Sequence, residues 1–310
     1  DEKVIALLLM QQIAVLFLIM GLGFLIVKLG IVKTEDSRVL SMVTIYLVLP
    51  CVTIHAFQIE YSTKIRNGFL LAVAVAILIH VVLFVVCGIL RKLLKMDEVE
   101  TASLIYSNAG NLILPLVTSI LGEEWVIYAS AFLSVQMILM WTHGQSLMEA
   151  KAGINWKKIL CNINLIAILT GLVFFLCNIH LPEIIDSMTS SLAGMIGPIS
   201  MVMIGMLLAG VDWKLVFGKR RIYGIVFLKM IVVPGIITLC LKLAAPLIPM
   251  ENAKTILLIS LLAVIAPTAV TITQMAQLYK RDAAYASSIN VFTTLVCIVT
   301  MPLMVMLYMI

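Results

Sequence analysis

Apolar runs of about twenty residues, separated by short polar connectors, recur from one end of the chain to the other; a helix of that length spans the hydrocarbon core of a bilayer. They lie at about Val4–Leu29, Leu40–Phe57, Gly68–Leu90, Thr101–Leu121, Val126–Met148, Ile163–Ile179, Leu192–Val211, Ile222–Ala245, Ala253–Leu278 and Ala284–Met309. The pattern predicts an all-α membrane protein of ten transmembrane helices. The connectors between runs are too short to hold a soluble domain, so any chemistry is expected inside the bundle or in its clefts. The first run is too long for the apolar core of a signal peptide, and no small-residue cleavage site follows it. It reads as a spanning helix.

Lysine and arginine positions test that count, because short cytoplasmic loops carry an excess of both. Alternate connectors differ as required. Connectors one, three, five, seven and nine hold fifteen of the 21 basic residues: Lys28, Lys33 and Arg38; Arg91, Lys92 and Lys95; Lys151, Lys157 and Lys158; Lys214, Lys219, Arg220 and Arg221; Lys280 and Arg281. The termini and even-numbered connectors hold only Lys3, Lys64, Arg66 and Lys254. A multi-pass protein of the inner (plasma) membrane with both termini outside is therefore expected.

Composition narrows the function classes. Of 310 residues, 63% are apolar and only 12% charged, a balance that no water-soluble fold tolerates. The net charge of +5 does not imply nucleic acid, since the basic residues sit in clusters between apolar runs rather than on one polar face. The six cysteines are scattered singly, and the histidines (His55, His80, His143 and His180) form no metal-binding motif. No metal and no cofactor is expected. All sixteen Asp and Glu residues fall in connectors, termini or helix ends, which argues against an acidic proton relay and against a carboxylate-held metal at depth.

The prolines suggest an internal repeat. Pro50 and Pro115 fall in the second and fourth runs, Pro198 and Pro267 in the seventh and ninth, and corresponding prolines are 148 and 152 residues apart. A division into residues 1–150 and 151–310 gives five spans each, and an odd number of spans forces the second repeat to enter the membrane inverted.

Two segments make poor helix where helix is required. Ser107-Asn108-Ala109-Gly110-Asn111-Leu112-Ile113-Leu114-Pro115 lies in the fourth run, and Ala266-Pro267-Thr268-Ala269-Val270-Thr271-Ile272-Thr273-Gln274 at the matching place in the ninth. Both predict broken crossover helices. Interruptions at corresponding places of two repeats point to a transporter's binding site, and the helix N-termini they create present unpaired N–H groups that suit an anion. Asn108, Gly110, Asn111, Pro115, Gln136, Pro267, Thr268, Thr271 and Gln274 are the candidate substrate-binding residues. The alternative task for Asn108, Asn111 and Gln274 is to hydrogen-bond helices together. Lys229 and Lys242, inside the eighth run, read as chains that snorkel to the nearer interface.

These residues also carry a family resemblance. Gly21-Leu22-Gly23-Phe24 through Lys28-Leu29-Gly30-Ile31, Asn108-Ala109-Gly110 with Pro115-Leu116, Trp141-Thr142-His143-Gly144, Ala266-Pro267-Thr268-Ala269, Tyr279, Asp282 and Thr300-Met301-Pro302-Leu303 together resemble the auxin efflux carrier family. That family includes plant auxin carriers and bacterial malate and malonate permeases. Ile113 stands where many members have glycine, and the connector around Lys151 to Lys158 is short, as in bacterial forms. The resemblance implies a secondary transporter that moves a small organic anion, such as malate, another dicarboxylate or an auxin-like acid. Helices one, two, six and seven would form a homodimerising scaffold, with Leu40–Phe57 and Leu192–Val211 at the interface. Helices three to five and eight to ten would form an elevator-like transport domain. A membrane enzyme acting on a lipid or isoprenoid, and a non-transporting sensor, are the other classes that fit such a composition.

Overall fold

The computed structural model describes residues 2–149 and 160–309, without the side chains of Asn111 and a few other residues. Lys151, Lys157 and Lys158 lie outside the described residues. In chain order the helical segments are α1 (Glu2–Lys28), α2 (Thr34–Ala56), α3 (Thr63–Leu94), α4 (Glu98–Ile105), α5 (Ala109–Ile120), α6 (Glu123–Met148), α7 (Ile163–Leu176), α8 (Glu183–Ala209), α9 (Trp213–Gly218), α10 (Arg220–Leu247), α11 (Ala253–Ile265), α12 (Val270–Leu278) and α13 (Ala283–Met309). Among the described residues no strand longer than a single bridge occurs. Six helices (α2, α3, α6, α8, α10 and α13) are long and apolar enough to cross a membrane, and Ala14–Lys28, α7 and α11 are shorter apolar helices. Leu18, Leu22, Leu78 and Ile184 are exposed on outer faces, as helices require when hydrocarbon is the solvent.

Close packing relies on small residues. Along α1 and α8, a Cβ on Gly205 would collide with the Met20 carbonyl and one on Gly23 with the Val202 carbonyl. These glycines let the two backbones touch, the usual device where burial from water cannot drive helices together. Single π turns interrupt three long helices, at Thr44–Val48, Met140–Gly144 and Leu228–Val232. The first and third lie just before Pro50 and Pro234, whose missing N–H groups force the ladder to rearrange.

The start of α4 departs from the sequence expectation. Glu100, read as a loop acid, is wholly buried. Its carboxylate accepts from Arg221 Nε at 2.5 Å and Nη2 at 2.7 Å, from the Tyr285 hydroxyl at 2.9 Å and from the Asp97 N–H at 3.1 Å. Burial by itself would raise its pKa, but hydrogen bonds from Arg221, Asp97 and Tyr285 outweigh it and hold the group below the usual glutamate range. Asp97 returns the contact by accepting from the Glu100 N–H at 2.8 Å, a reciprocal N-terminal cap. Sequence position hid this because the partners come from α10 and α13.

Candidate functional site

The helices of the fourth and ninth runs break where they meet. Tyr106 is extended (φ −97°, ψ 124°) and Asn108 is non-helical, so α4 and α5 are separated by three residues. Opposite them Ala266 is extended (φ −63°, ψ 154°), as a residue before proline prefers, and so is Ala269. The two segments pair antiparallel at Ser107 and Thr268. The Asn108 N–H donates to the Pro267 carbonyl at 2.7 Å, and the Ala269 N–H donates to the Tyr106 carbonyl at 3.0 Å.

The backbone groups that this pairing leaves over are met by side chains. Gln136 Nε2 donates to the Ser107 carbonyl at 2.9 Å, while its Oε1 accepts from the Ser107 N–H at 3.3 Å. On the other strand, the Thr268 N–H donates to Thr293 Oγ1 at 3.2 Å, and its carbonyl accepts from Asn290 Nδ2 at 2.5 Å. The hydroxyls exchange places: Ser107 Oγ donates to the Val264 carbonyl at the end of α11, and Thr268 Oγ1 to the Ser103 carbonyl in α4, each at 3.1 Å. A crossing at this depth survives because each freed N–H and C=O of Ser107 and Thr268 is hydrogen-bonded again.

Pro115 does not mark the break. It lies inside α5, and a Cβ on Gly197 of α8 would stand 3.3 Å from its ring. Gly110 and Asn111 are helical too, so the unwound stretch is Tyr106–Asn108, upstream of most of the expected segment.

Lys229 overturns its expected role. It does not snorkel: it is 1% exposed, and its Nζ donates to Ser107 Oγ at 2.8 Å and to the Leu104 carbonyl at 3.1 Å. The π turn at Leu228–Val232 carries it, and among the described residues it forms no ion pair with a carboxylate. Its amino nitrogen is thus held directly behind the crossing by two uncharged oxygens. Lys242 reaches the Leu307 carbonyl at 3.2 Å and is partly exposed near the end of its helix.

In front of the crossing lies a cavity of about 700 Å³, within the size range of small-molecule sites. Of the expected site residues, Asn108, Gly110, Gln136, Thr271 and Gln274 line it. Pro115, Pro267 and Thr268 are not on its wall; Thr268 is fully buried in the crossing. The side chain of Asn111 lies outside the described residues. The wall also includes residues that were not expected: Ser107, Tyr46, Trp141, Asn162 and Asn164. The Asn-x-Asn pair opening an apolar run was the available signal for the last two. Asn162 Oδ1 caps α7 by accepting from the Asn164 N–H at 3.0 Å, whereas Asn164, 7% exposed, has an Oδ1 with no partner.

No lining residue is charged among those described. The N-termini of α5 and α12 both open on the cavity through Asn108, Gly110, Ala269 and Thr271, and neither is capped by a side chain. Their free N–H groups and dipoles give the wall a positive potential. No curated protein matched the chain. The family model for "Membrane transport protein" matches residues 8–305, nearly the whole sequence. The chain, with its paired broken helices and neutral-walled cavity, therefore belongs to the auxin efflux carrier family of membrane transport proteins.

Proposed function

We propose that the protein is a secondary transporter, not an enzyme, that carries a small organic anion through the cavity at the helix crossing. One observation carries the reading: the Lys229 amino group is buried one serine away from an uncharged cavity and has no carboxylate partner among the described residues. A buried cation is costly unless a counter-charge completes it, and a carboxylate in front of Ser107 would do so. The two helix N-termini would receive the same carboxylate.

In this reading α4 with α5, and α11 with α12, each make one span, which gives ten spans in two inverted repeats, residues 1–150 and 151–310. The exchange of hydroxyl contacts between Ser107 and Thr268 supports that symmetry. The first, second, sixth and seventh spans would form a homodimer scaffold and the others an elevator-like transport domain, in a plasma membrane with both termini outside. Gln136 acts mainly by holding the crossing open, since both ends of its amide are engaged by Ser107; Asn108, Thr271 and Gln274 face the substrate.

A screen of small mono- and dicarboxylates by thermal shift on purified protein tests this, because a ligand that binds the folded state stabilises it by mass action. The reading expects a stabilising carboxylate that is also taken up by proteoliposomes, with the uncharged amide of the same acid inactive. If the amide stabilised as well as the acid, or no acid was transported, the anion reading would be wrong.

A further inference from the structure

Both ring nitrogens of His55, near the end of α2, meet carboxylates: Nδ1 is 2.9 Å from Asp186 Oδ1 in α8, and Nε2 is 3.3 Å from Glu123 Oε2 at the start of α6. A neutral imidazole has one N–H and can donate to only one of them. Two acceptors on two nitrogens require the imidazolium. The elements packed against this end of α2 are α7, α8 and the start of α6. Residues 163–176 of α7 carry no titratable group, residues 183–193 of α8 carry Glu183 and Asp186, and the start of α6 carries Glu123, Glu124 and Tyr128. Within α2, Cys51 lies a turn away and Tyr46 faces the large cavity, with Arg38 near the far end. These stretches of α6, α7 and α8 carry no lysine or arginine, and the α7–α8 connector, joined to Gln58 by the Leu181 N–H, carries His180. A pocket of about 20 Å³ between Val52, His55, Ala56, Thr118, Glu123 and Val126 has room for about one water, enough to connect the imidazole to solvent.

We propose that His55 is a proton-binding site that clasps the α5–α6 turn to α2 and α8, and that losing the proton releases Glu123. Glu123 is the contact to go, being the longer one and the more exposed carboxylate (57% against 40%). Resting on the division under Proposed function, α2 and α8 belong to the scaffold and the α5–α6 turn to the moving part, on the outer side. The large cavity reaches Cys161 and Asn162 beside the fifth connector, which is cytoplasmic in that reading. A protonated clasp would then hold the outer side shut while the cavity communicates with the inside, and an alkaline exterior would free the turn to move.

Labelling tests the clasp without any substrate. The solvent-accessible or partly accessible cysteines Cys51, Cys161, Cys177 and Cys240 are replaced by serine, leaving buried Cys87 and Cys297. Reaction of Thr118→Cys with an impermeant maleimide is then measured in nanodiscs. Its rate is divided by that of Thr63→Cys, an exposed position, to cancel the thiol's own pH dependence. On going from about pH 5 to about pH 9, the ratio should rise at least about threefold. Glu123→Gln and, separately, His55→Gln should make it high and equal at both pH values. A ratio that does not change with pH, or a change that survives Glu123→Gln, overturns the clasp. Transport is judged by uptake alone, so the clasp and the transport reading fail separately.

Discussion

Two buried ionisable groups stand at opposite ends of α4, and the protein treats them in opposite ways. Glu100, in the first turn, is met by the Arg221 guanidinium, a tyrosine hydroxyl and a backbone N–H, so its charge is neutralised inside the fold. Lys229, behind the last turn, meets only the Leu104 carbonyl and the Ser107 hydroxyl, with no carboxylate partner among the described residues. A paired charge fastens helices together. An unpaired one raises the energy of the empty protein and lowers it again when an anion arrives. The contrast separates a structural ion pair from a binding device more sharply than burial does, since both groups are almost wholly buried.

The largest expected effect comes from breaking the first partnership. Arg221→Ala leaves the Glu100 carboxylate without its cation; because the Arg221 side chain is half exposed, water reaches the gap and the loss of stability is set at about 2–3 kcal/mol, below that for a fully buried pair. Calorimetry or denaturant unfolding in detergent reads it, and anion affinity should stay unchanged. The pH dependence follows from the lowered pKa of Glu100 in the folded state: the stabilisation is complete above the ordinary glutamate value of 4.5 and is lost as pH falls through the lower folded value. Wild type should therefore lose more stability than Glu100→Gln between about pH 5 and about pH 3. Equal losses would show that Glu100 does not drive acid unfolding.

Lys229→Met inverts the pattern. Anion affinity should fall by about 30- to 100-fold, the loss of a charged hydrogen-bonding group, while the melting temperature holds or rises because an unpaired buried charge has been removed. A melting temperature that dropped with affinity intact would make Lys229 a structural residue like Arg221. Gln136→Leu is next, at about 2 kcal/mol of stability, since it strips partners from both the N–H and the carbonyl of Ser107. Gln136→Glu keeps an acceptor and should cost less, provided that the pH keeps it protonated. Asn108→Ala is the smallest, at about 1 kcal/mol, and should appear in anion affinity measured by calorimetric titration rather than in melting, because its side chain makes no cap hydrogen bond. The opposite assignment, stability without affinity, would place Asn108 with the structural residues.

Hydrophobic pattern located the helical runs, because each is set locally by its match to the bilayer, but not all their ends: α8 begins at Glu183, not Leu192, and α2 at Thr34, not Leu40. The expected break in the fourth run, Ser107–Pro115, overlaps the observed one only at Ser107 and Asn108. Pro115 drew attention as the chemical helix breaker, yet a proline at that place is accommodated inside α5. The chain opens at Tyr106–Asn108 instead, where Gln136 and Pro267 supply the hydrogen bonds that a free-standing helix would have kept internally. Lys229 was misread for a similar reason. Its distance from the end of the run permits a snorkelling stem, and nothing local says which way its helix face is turned.

The sequence determined what belongs in the membrane and which two helices cannot remain continuous, since hydropathy, proline and asparagine act through neighbours a few residues away. Tertiary structure decided the rest: that Ser107 lies across from Thr268, 161 positions further along the chain, and that Glu100 finds Arg221 while Lys229 finds no counter-charge. Desolvation and pairing, not residue type, settle whether a charge holds the fold or waits for a ligand, and both depend on helices far apart in sequence.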